Sequence, residues 1–225
     1  MRIIDGDGHF IEPLDLFERY IDPAYRGRAM RVAKNSATDT KQFLIEQHPM
    51  KIFDVEAFLG AVVGYGQKEV GRDLSNFDRY HYYATDWQDM GKRVQFLDEE
   101  GMEKQVIYPT LGLFWEGEVD DPYLADAHCR AYNTWTFELC AGHKDRLYPA
   151  AHISLRDPQL AVREMERVAK LGGRTIFVAA APVAGKSFGE PGFDPVWAAA
   201  QDLDLGIGIQ ARFDTTYDPQ SHPYF

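Results

Sequence analysis

The feature of this sequence that most restricts its fold is an alternation of apolar strand-like runs and helix-like segments, which begins at residue 86. Strands are predicted at 104–110, 146–155, 174–181 and 207–211, and helices at 86–100, 120–142, 157–173 and 194–206. The strand-like runs are almost continuously apolar, as is typical of strands buried on both faces of a parallel sheet. Since the connections are short, this order predicts an α/β fold, either a barrel or a doubly wound sheet.

The region 27–85 has a different character, because it is polar, irregular and rich in aromatic residues. We interpret it as an insertion after a first strand that lies over one end of the sheet. The remaining segments follow one another without a linker-like stretch or an internal repeat. The whole chain, 1–225, is therefore predicted to form a single domain.

The net charge of −11 argues against nucleic acid or an anionic membrane surface as a partner. The two cysteines, Cys129 and Cys140, lack the spacing of a metal site or a disulfide framework, and we expect both to be buried thiols. The N-terminus lacks the pattern of a signal peptide, and no apolar run is long enough to span a membrane. These features favour a cytoplasmic protein.

The opening segment DGDGHFIEP (5–13) places three carboxylates and an imidazole directly after a short apolar strand. Side chains two positions apart on a strand point to the same face, so Asp7 and His9 can approach one ion. Divalent metals accept carboxylate oxygen and imidazole nitrogen together. Glu12 is then either a third ligand or a partner that orients the ligands. The alternative is a glycine-rich polar turn whose aspartates bind the local backbone.

Two further polar residues lie on predicted strands. His152 is a candidate metal ligand or proton carrier, although a hydrogen-bonded core histidine is the more common situation. Gln210 ends a strand at a position where a barrel enzyme often has a polar site residue, and a residue that only fills the barrel is equally compatible with the sequence.

Four aromatic or imidazole side chains are candidates for the lining of a substrate pocket. Tyr108, Phe114 and Trp115 follow the predicted strand 104–110, and His81 lies in an aromatic loop that could cover a pocket. Core packing accounts for the three residues near 110 about as well.

The segment AAPVAGKS (180–187) resembles a relaxed phosphate-binding loop after a strand. That loop requires a helix N-terminus directly after its Lys-Ser pair. Gly189, Pro191 and Gly192 exclude such a helix, so nucleotide binding is not predicted.

Four segments together resemble the amidohydrolase superfamily, in the branch related to aminocarboxymuconate-semialdehyde decarboxylase. They are IIDGDGHFIEP (3–13), RVQFLDEEGMEKQVIYPTLGL (93–113), the helix–strand units of 125–173, and GFDPVWAAAQDLDLGIGI (192–209). The first is similar to the D-x-D-x-H-x-x-E-P form of the family's first-strand metal motif. The resemblance implies a TIM-type (β/α) barrel with one divalent ion, zinc, manganese or iron, at the carboxyl ends of its strands, with Asp7 and His9 in the positions of the first metal pair.

The chain departs from that family pattern in three places. The positions of two further family histidines correspond to Ala181 or Pro182 and to Gln210, and no residue corresponds to the aspartate of the last strand. The resemblance thus implies an incomplete barrel of about six of the eight units, without the C-terminal units. Because an open parallel sheet has exposed edges, a homodimer is expected.

Two functions follow from these observations. One is a metal-dependent hydrolase or decarboxylase acting on a small substrate that bears a carboxylate or an amide, with aromatic substrates among the candidates. The other is a non-catalytic barrel relative, or a fragment, that binds a small molecule or scaffolds a partner.

Overall fold

A computed structural model describes residues 2–35, 41–50 and 88–210 of the chain. The strands are β1 (Ile3–His9), β2 (Arg31–Lys34), β3 (Lys41–Ile45), β4 (His48–Pro49), β5 (Met102–Tyr108), β6 (Leu147–His152), β7 (Thr175–Ala179) and β8 (Gly206–Gln210). The α-helices are α1 (Leu16–Tyr20), α2 (Met90–Glu99), α3 (Gly112–Trp115), α4 (Pro122–Leu139), α5 (Pro158–Lys170) and α6 (Asp194–Asp202). Short 3₁₀ turns occupy Glu116–Glu118, Ala141–His143 and Pro191–Phe193.

The main sheet has five strands in the order β1-β5-β6-β7-β8, and every neighbouring pair is parallel. A helix lies in each of the three connections between β5, β6, β7 and β8, as the alternation in the sequence predicts. Gln210 at the end of β8 donates to Asp7 on β1, so side chains of the two outer strands meet at their carboxyl ends. The sheet is therefore curled, as in part of a TIM-type barrel, and the predicted α/β barrel architecture is confirmed.

The long helices begin where the sequence places aspartates. The Asp157 side chain accepts hydrogen bonds from the backbone N–H groups of Gln159 and Leu160, at 2.7 and 3.1 Å, and Pro158 follows at the first helical position. Asp89 and Asp121 cap α2 and α4 in the same way. These caps satisfy N–H groups that have no partner within the helix.

Strand β7 shows how the apolar residues divide between two cores. Ile176 and Val178 pack with residues of α5 and α6 on one face of the sheet. Phe177 and Ala179 point to the other face and join the core that contains Phe10 and residues of β5 and α4. Because both faces are covered, a continuous apolar run is required, and this is why the strand lacks a polar–apolar alternation.

The first part of the predicted insertion is more regular than the sequence suggested. Strands β2, β3 and β4 form an antiparallel sheet, which was not predicted because these strands are only two to five residues long. Arg28 connects this sheet to α4: its guanidinium donates to Glu46 at 2.6 Å and to Asp121 at 2.8 Å. Residues 51–87, including His81, lie outside the described residues.

Three smaller predictions concern the rest of the chain. After Lys186 the next helical turn begins only at Pro191, so a phosphate-binding loop is absent from this described segment. Cys129 and Cys140 are free and buried, as predicted. Within the described ranges, we find no helix long and apolar enough to cross a membrane.

Candidate active site

Asp7 and His9 lie at the carboxyl end of β1, directly after an irregularity in its pairing with β5. Asp5 pairs with Gln105 and Gly8 with Ile107, so β1 has one more residue than β5 over this stretch. Such bulges redirect side chains and are common beside active sites. Here the bulge leaves Asp7 Oδ1 3.7 Å from His9 Nε2, with both side chains accessible to solvent. The structure therefore brings together the two residues that the spacing predicted.

The contacts of the His9 ring determine which nitrogen carries its proton. Nδ1 lies 2.9 Å from the carbonyl oxygen of Pro109, which can only accept a hydrogen bond. Nδ1 is consequently protonated in the neutral ring, and Nε2 presents a lone pair towards Asp7. Burial lowers the pKa of His9, against the opposing effects of the Pro109 carbonyl and the Asp7 charge. The neutral ring with an unprotonated Nε2 is the form that ligates metals.

A chain of hydrogen-bonded polar side chains, Asp5, Gln105 and Arg93, stabilises the bulge. Asp5 accepts from Gln105 Nε2 at 2.6 Å, and Gln105 Oε1 accepts from Arg93 at 2.9 Å. Arg93 also donates to the backbone carbonyl of His9 at 2.9 Å. A side chain on Gly8 would collide with the side chain of Gln105, so glycine is required there. Within DGDGH, Asp5 bonds Gln105 and Gly8 leaves room for the Gln105 side chain. Asp7 and His9 are the two ligand-type side chains accessible to solvent.

Glu12 lies in different surroundings from Asp7 and His9. It is buried, and its carboxylate accepts backbone N–H groups of Thr110, Leu111 and Gly112 at 2.9, 3.0 and 3.4 Å. It therefore holds the loop after β5, the loop whose Pro109 carbonyl orients His9. This arrangement favours the orienting alternative for Glu12 over direct ligation.

Burial also shifts the pKa values of Glu12 and Arg93, the two ionisable groups that support the site. It raises the pKa of Glu12 to about 7, although the backbone N–H donors act in the opposite direction. Desolvation lowers the pKa of Arg93 to about 10, so its guanidinium stays charged at neutral pH. Both groups therefore lie in an environment of low polarity, close to the exposed Asp7 and the partly buried His9.

Gln210 reaches the site from β8 on the far side of the curled sheet. Its Nε2 lies 2.7 Å from Asp7 Oδ1 and 3.0 Å from His9 Nε2. Of the two alternatives left open by the sequence, this position favours a polar site residue over one that only fills the barrel.

His152 is completely buried at the end of β6. Its Nε2 lies 3.2 Å from a Glu116 carboxylate oxygen, and its ring packs against Trp115 and Phe177 at centroid distances of 5.0 and 4.7 Å. In the described part of the chain, no hydrogen bond or ion pair joins it to Asp7 or His9. The structure therefore gives His152 the surroundings of a core histidine, which do not favour the catalytic role considered for it.

The predicted pocket residues near 110 divide into two groups. Phe114 and Trp115 are buried, and Trp115 stacks on His128 at a centroid distance of 4.6 Å, so their surroundings favour core packing. Tyr108 lies inside the curl of the sheet, 6.1 Å from the His9 ring between centroids. Of these three residues, Tyr108 is the one in ring contact with the site.

The donors at this site suit a hard divalent ion. Asp7 supplies an anionic oxygen and His9 a neutral imidazole nitrogen, and both are open to further ligands from solvent or substrate. Over residues 2–35, 41–50 and 88–210, no group of three His, Cys, Asp or Glu side chains is placed to hold a metal. Asp7 and His9 therefore fit a metal as a pair. Any third protein ligand among the described residues is not a His, Cys, Asp or Glu side chain.

Arg93, Gln105 and Asp5 were not recognised as site residues from the sequence. Two signals were available, however. Gln105 is a polar residue within an apolar strand, and Arg93 occupies the same helix face as Met90 and Leu97, which are buried. A polar or charged side chain on a buried face requires a partner, and here the partners are the backbone and side chains of β1.

The sequence model of the amidohydrolase family matches residues 4–222. An amidohydrolase from Mycobacterium avium subsp. paratuberculosis K-10 is 25% identical, with a TM-score of 0.71 over 92% of this chain and 58% of its own. None of the curated proteins matches the sequence.

Two decarboxylases share the fold at lower identity. The 5-carboxyvanillate decarboxylase of Novosphingobium aromaticivorans DSM 12444, solved with manganese and 4-hydroxy-3-methoxy-5-nitrobenzoic acid, is 19% identical with a TM-score of 0.57 over 97% of this chain and 53% of its own. The dihydroxybenzoic acid decarboxylase of Polaromonas sp. JS666, solved with manganese and 2-nitroresorcinol, is 19% identical with a TM-score of 0.55 over 98% and 52%. The present chain spans little more than half the length of these three proteins.

Proposed function

Because this chain belongs to the amidohydrolase family, we propose that it forms the metal-binding part of a decarboxylase or hydrolase for a small substrate that bears a carboxylate or an amide. Aromatic carboxylates are the first substrates to test, since the two decarboxylases of similar fold bind nitro-aromatic ligands together with manganese. The observation that carries the proposal is the approach of Asp7 Oδ1 and His9 Nε2 to 3.7 Å at the open, carboxyl end of β1.

In this proposal Asp7 and His9 hold one divalent ion. When bound, such an ion stabilises negative charge that develops on a substrate carboxylate or carbonyl and lowers the pKa of a bound water. The Pro109 carbonyl keeps the proton on His9 Nδ1, so that Nε2 is available as a ligand. Glu12 and Arg93 are positioning residues, because they hold the loop after β5 and the backbone of His9.

Tyr108 provides one wall for an aromatic substrate in this proposal, since its ring lies beside His9 inside the curl of the sheet. A role of His81 in covering the pocket, and a homodimer that covers the outer strands β1 and β8, stay predictions. The exposed isoleucines of these strands, among them Ile4 and Ile209 at 59% and 54% exposure, support a partner at the sheet edges.

Metal content is the first test. Protein purified without chelators should contain about one equivalent of manganese, zinc or iron, and His9→Ala should lose it. The matched control is His48→Ala, which changes an exposed histidine on β4. Metal far below one equivalent in the unmodified protein, or equal metal in His9→Ala, would contradict the proposal.

Activity then separates the two reaction types. A decarboxylase should release carbon dioxide from hydroxybenzoates, with cleavage of the ring–carboxylate bond and protonation of the ring carbon. A hydrolase should instead cleave amide or ester substrates and leave the hydroxybenzoates unchanged. Asp7→Asn should remove either activity.

A non-catalytic relative is the second candidate. It is favoured by the lack, within the described residues, of a third His, Cys, Asp or Glu beside Asp7 and His9. Metal-free protein that binds a hydroxybenzoate without turnover would support it.

A further inference from the structure

The amide group of Gln210 occupies an unusual position, between the two side chains proposed to hold a metal. Its Nε2 donates to Asp7 Oδ1 at 2.7 Å and faces His9 Nε2 at 3.0 Å. Because the proton of the neutral His9 ring is on Nδ1, Nε2 can accept the second amide hydrogen. The NH₂ group therefore interacts with the same two lone pairs that a cation would use.

The other end of this amide, Oε1, is buried and has no hydrogen bond to any residue that the structure describes. Consequently, a half-turn of the amide about its last side-chain bond breaks no hydrogen bond at Oε1. It breaks only the bonds from the NH₂ group to Asp7 and His9.

After such a half-turn, three acceptor atoms would converge on one point. They are a carboxylate oxygen of Asp7, Nε2 of His9 and the amide oxygen of Gln210. Three lone pairs facing one another repel unless a cation lies between them. The reversed orientation is therefore favourable only with an ion in place.

The spacing of the three groups suits a single ion. Gln210 Nε2 now lies 2.7 Å from Asp7 Oδ1 and 3.0 Å from His9 Nε2, and these two acceptor atoms are 3.7 Å apart. Neighbouring ligands of an octahedral ion, each at about 2.1 Å from it, lie about 3 Å apart. No rearrangement of the strands is thus needed for the three side chains to share one cation.

We propose that Gln210 is the third metal ligand of this site, through Oε1, and that its amide turns to bond Asp7 and His9 when the ion is absent. The ligand set then has two oxygens, one nitrogen and a single negative charge. Such a set favours a hard ion such as Mn²⁺ over a softer competitor held by several histidines. This inference rests on the proposed function only in requiring that an ion binds at Asp7 and His9.

The test is a titration of metal-depleted protein with Mn²⁺, in which the EPR signal of free Mn²⁺ measures binding directly and without turnover. Gln210→Leu should weaken Mn²⁺ binding at least about tenfold, because it removes a ligand. Gln210→Glu should strengthen it, because it keeps an oxygen at the same place and adds a negative charge. The matched control, Gln201→Leu on the exposed side of α6, should bind as the unmodified protein does.

Each outcome distinguishes the two proposals. If the unmodified protein binds Mn²⁺ and Gln210→Leu binds it equally or more tightly, the amide only competes with the ion and this inference is wrong, while the proposed metal site stands. If the unmodified protein binds no Mn²⁺, this inference fails, while the proposed metal site is decided by the zinc, manganese and iron content of the purified protein. Thermal melting of the metal-depleted protein shows whether Gln210→Leu is folded. If it is not, Gln210→Glu is the deciding variant, and an unchanged or weaker affinity of Gln210→Glu for Mn²⁺ overturns the inference.

Discussion

The hydroxyl of Tyr108, on β5, lies directly over the Cα of Gly208, on β8, although two strands separate β5 from β8 in the sheet. This contact is possible only because the sheet curls and because residue 208 has no side chain. The Tyr108 ring also packs edge-to-face on Phe177, at 6.1 Å between centroids, and so fills space inside the curl beside His9.

The first prediction follows from this contact. A Cβ at position 208 would stand 2.8 Å from Tyr108 Cε1 and still closer to the hydroxyl, so Gly208→Ala forces the ring to move. We expect a loss of about 1–3 kcal/mol in the free energy of unfolding, measured in urea. Gly206→Ala is the matched control on the same strand, because its Cβ meets its nearest atom, the carbonyl oxygen of Arg174, at 3.6 Å. Equal losses in the two variants would show that the Tyr108 contact is not the cause.

The second prediction concerns Glu12 and pH. Its pKa is raised by burial from 4.5 to about 7, so between these values the folded state binds more protons than the unfolded state. The stability contributed by protonated Glu12 is therefore complete below about pH 4.5 and is lost as the pH rises through 7. Glu12→Gln lacks this pH-dependent contribution to stability. The free energy of unfolding of the unmodified protein, minus that of Glu12→Gln, should therefore fall by up to about 3 kcal/mol from pH 4.5 to pH 8.

The measurement is a set of urea unfolding curves across this pH range. Glu18→Gln serves as the control, because it removes a carboxylate that is exposed on α1. A difference between Glu12→Gln and the original protein that stays constant with pH would contradict the raised pKa.

The third prediction concerns Asn133, which holds the end of β6 from α4. Its side chain accepts from the backbone N–H of His152 at 2.7 Å and donates to the carbonyl of the same residue at 3.0 Å. It also donates to the buried carboxylate of Glu164 at 2.7 Å. Asn133→Ala removes the bonds to both backbone groups of His152 and one donor to Glu164, whose carboxylate keeps its bonds from Arg167. We therefore expect a loss of about 2–4 kcal/mol in unfolding free energy.

Thr134→Ala tests whether that loss is specific to Asn133. Thr134 is the next residue on the same helix, and its hydroxyl bonds only partly exposed groups. Its replacement should change stability by about 0.5 kcal/mol or less. A comparably large loss in both variants would mean that disturbance of α4, and not the Asn133 bonds, is responsible.

The fourth prediction concerns the two thiols. Cys129 and Cys140 are 1% and 2% exposed, and burial raises the pKa of Cys140 to about 12 and that of Cys129 well above its usual value. Since the thiolate is the reactive form, folded protein at pH 8 should resist alkylation by iodoacetamide, as followed by mass spectrometry. Protein unfolded in guanidinium chloride should take up two equivalents. Rapid labelling of either cysteine in the folded protein would contradict this burial.

Much of the fold could be predicted from local patterns. These patterns depend only on neighbours along the chain. They are the apolar runs of β5 to β8, the capping aspartates before α4 and α5, and Gly172, whose φ is +92°. Asp7 and His9 could be paired for the same reason, since two residues on one strand are close whatever the rest of the chain does. The short antiparallel strands β2 to β4 were missed because two to five residues do not establish a period.

The tertiary structure decided which distant groups meet at that pair. Gln210 reaches Asp7 across 203 positions of sequence, and Glu12 bonds the backbone of Thr110 across 98. Neither contact follows from spacing. The first depends on the curl of the sheet, which brings β8 to β1, and the second depends on the pairing of β1 with β5. The sequence by itself thus determined the elements and a candidate pair of ligands, whereas the surroundings of that pair follow from strand order and curvature, which arise only when the whole sheet packs.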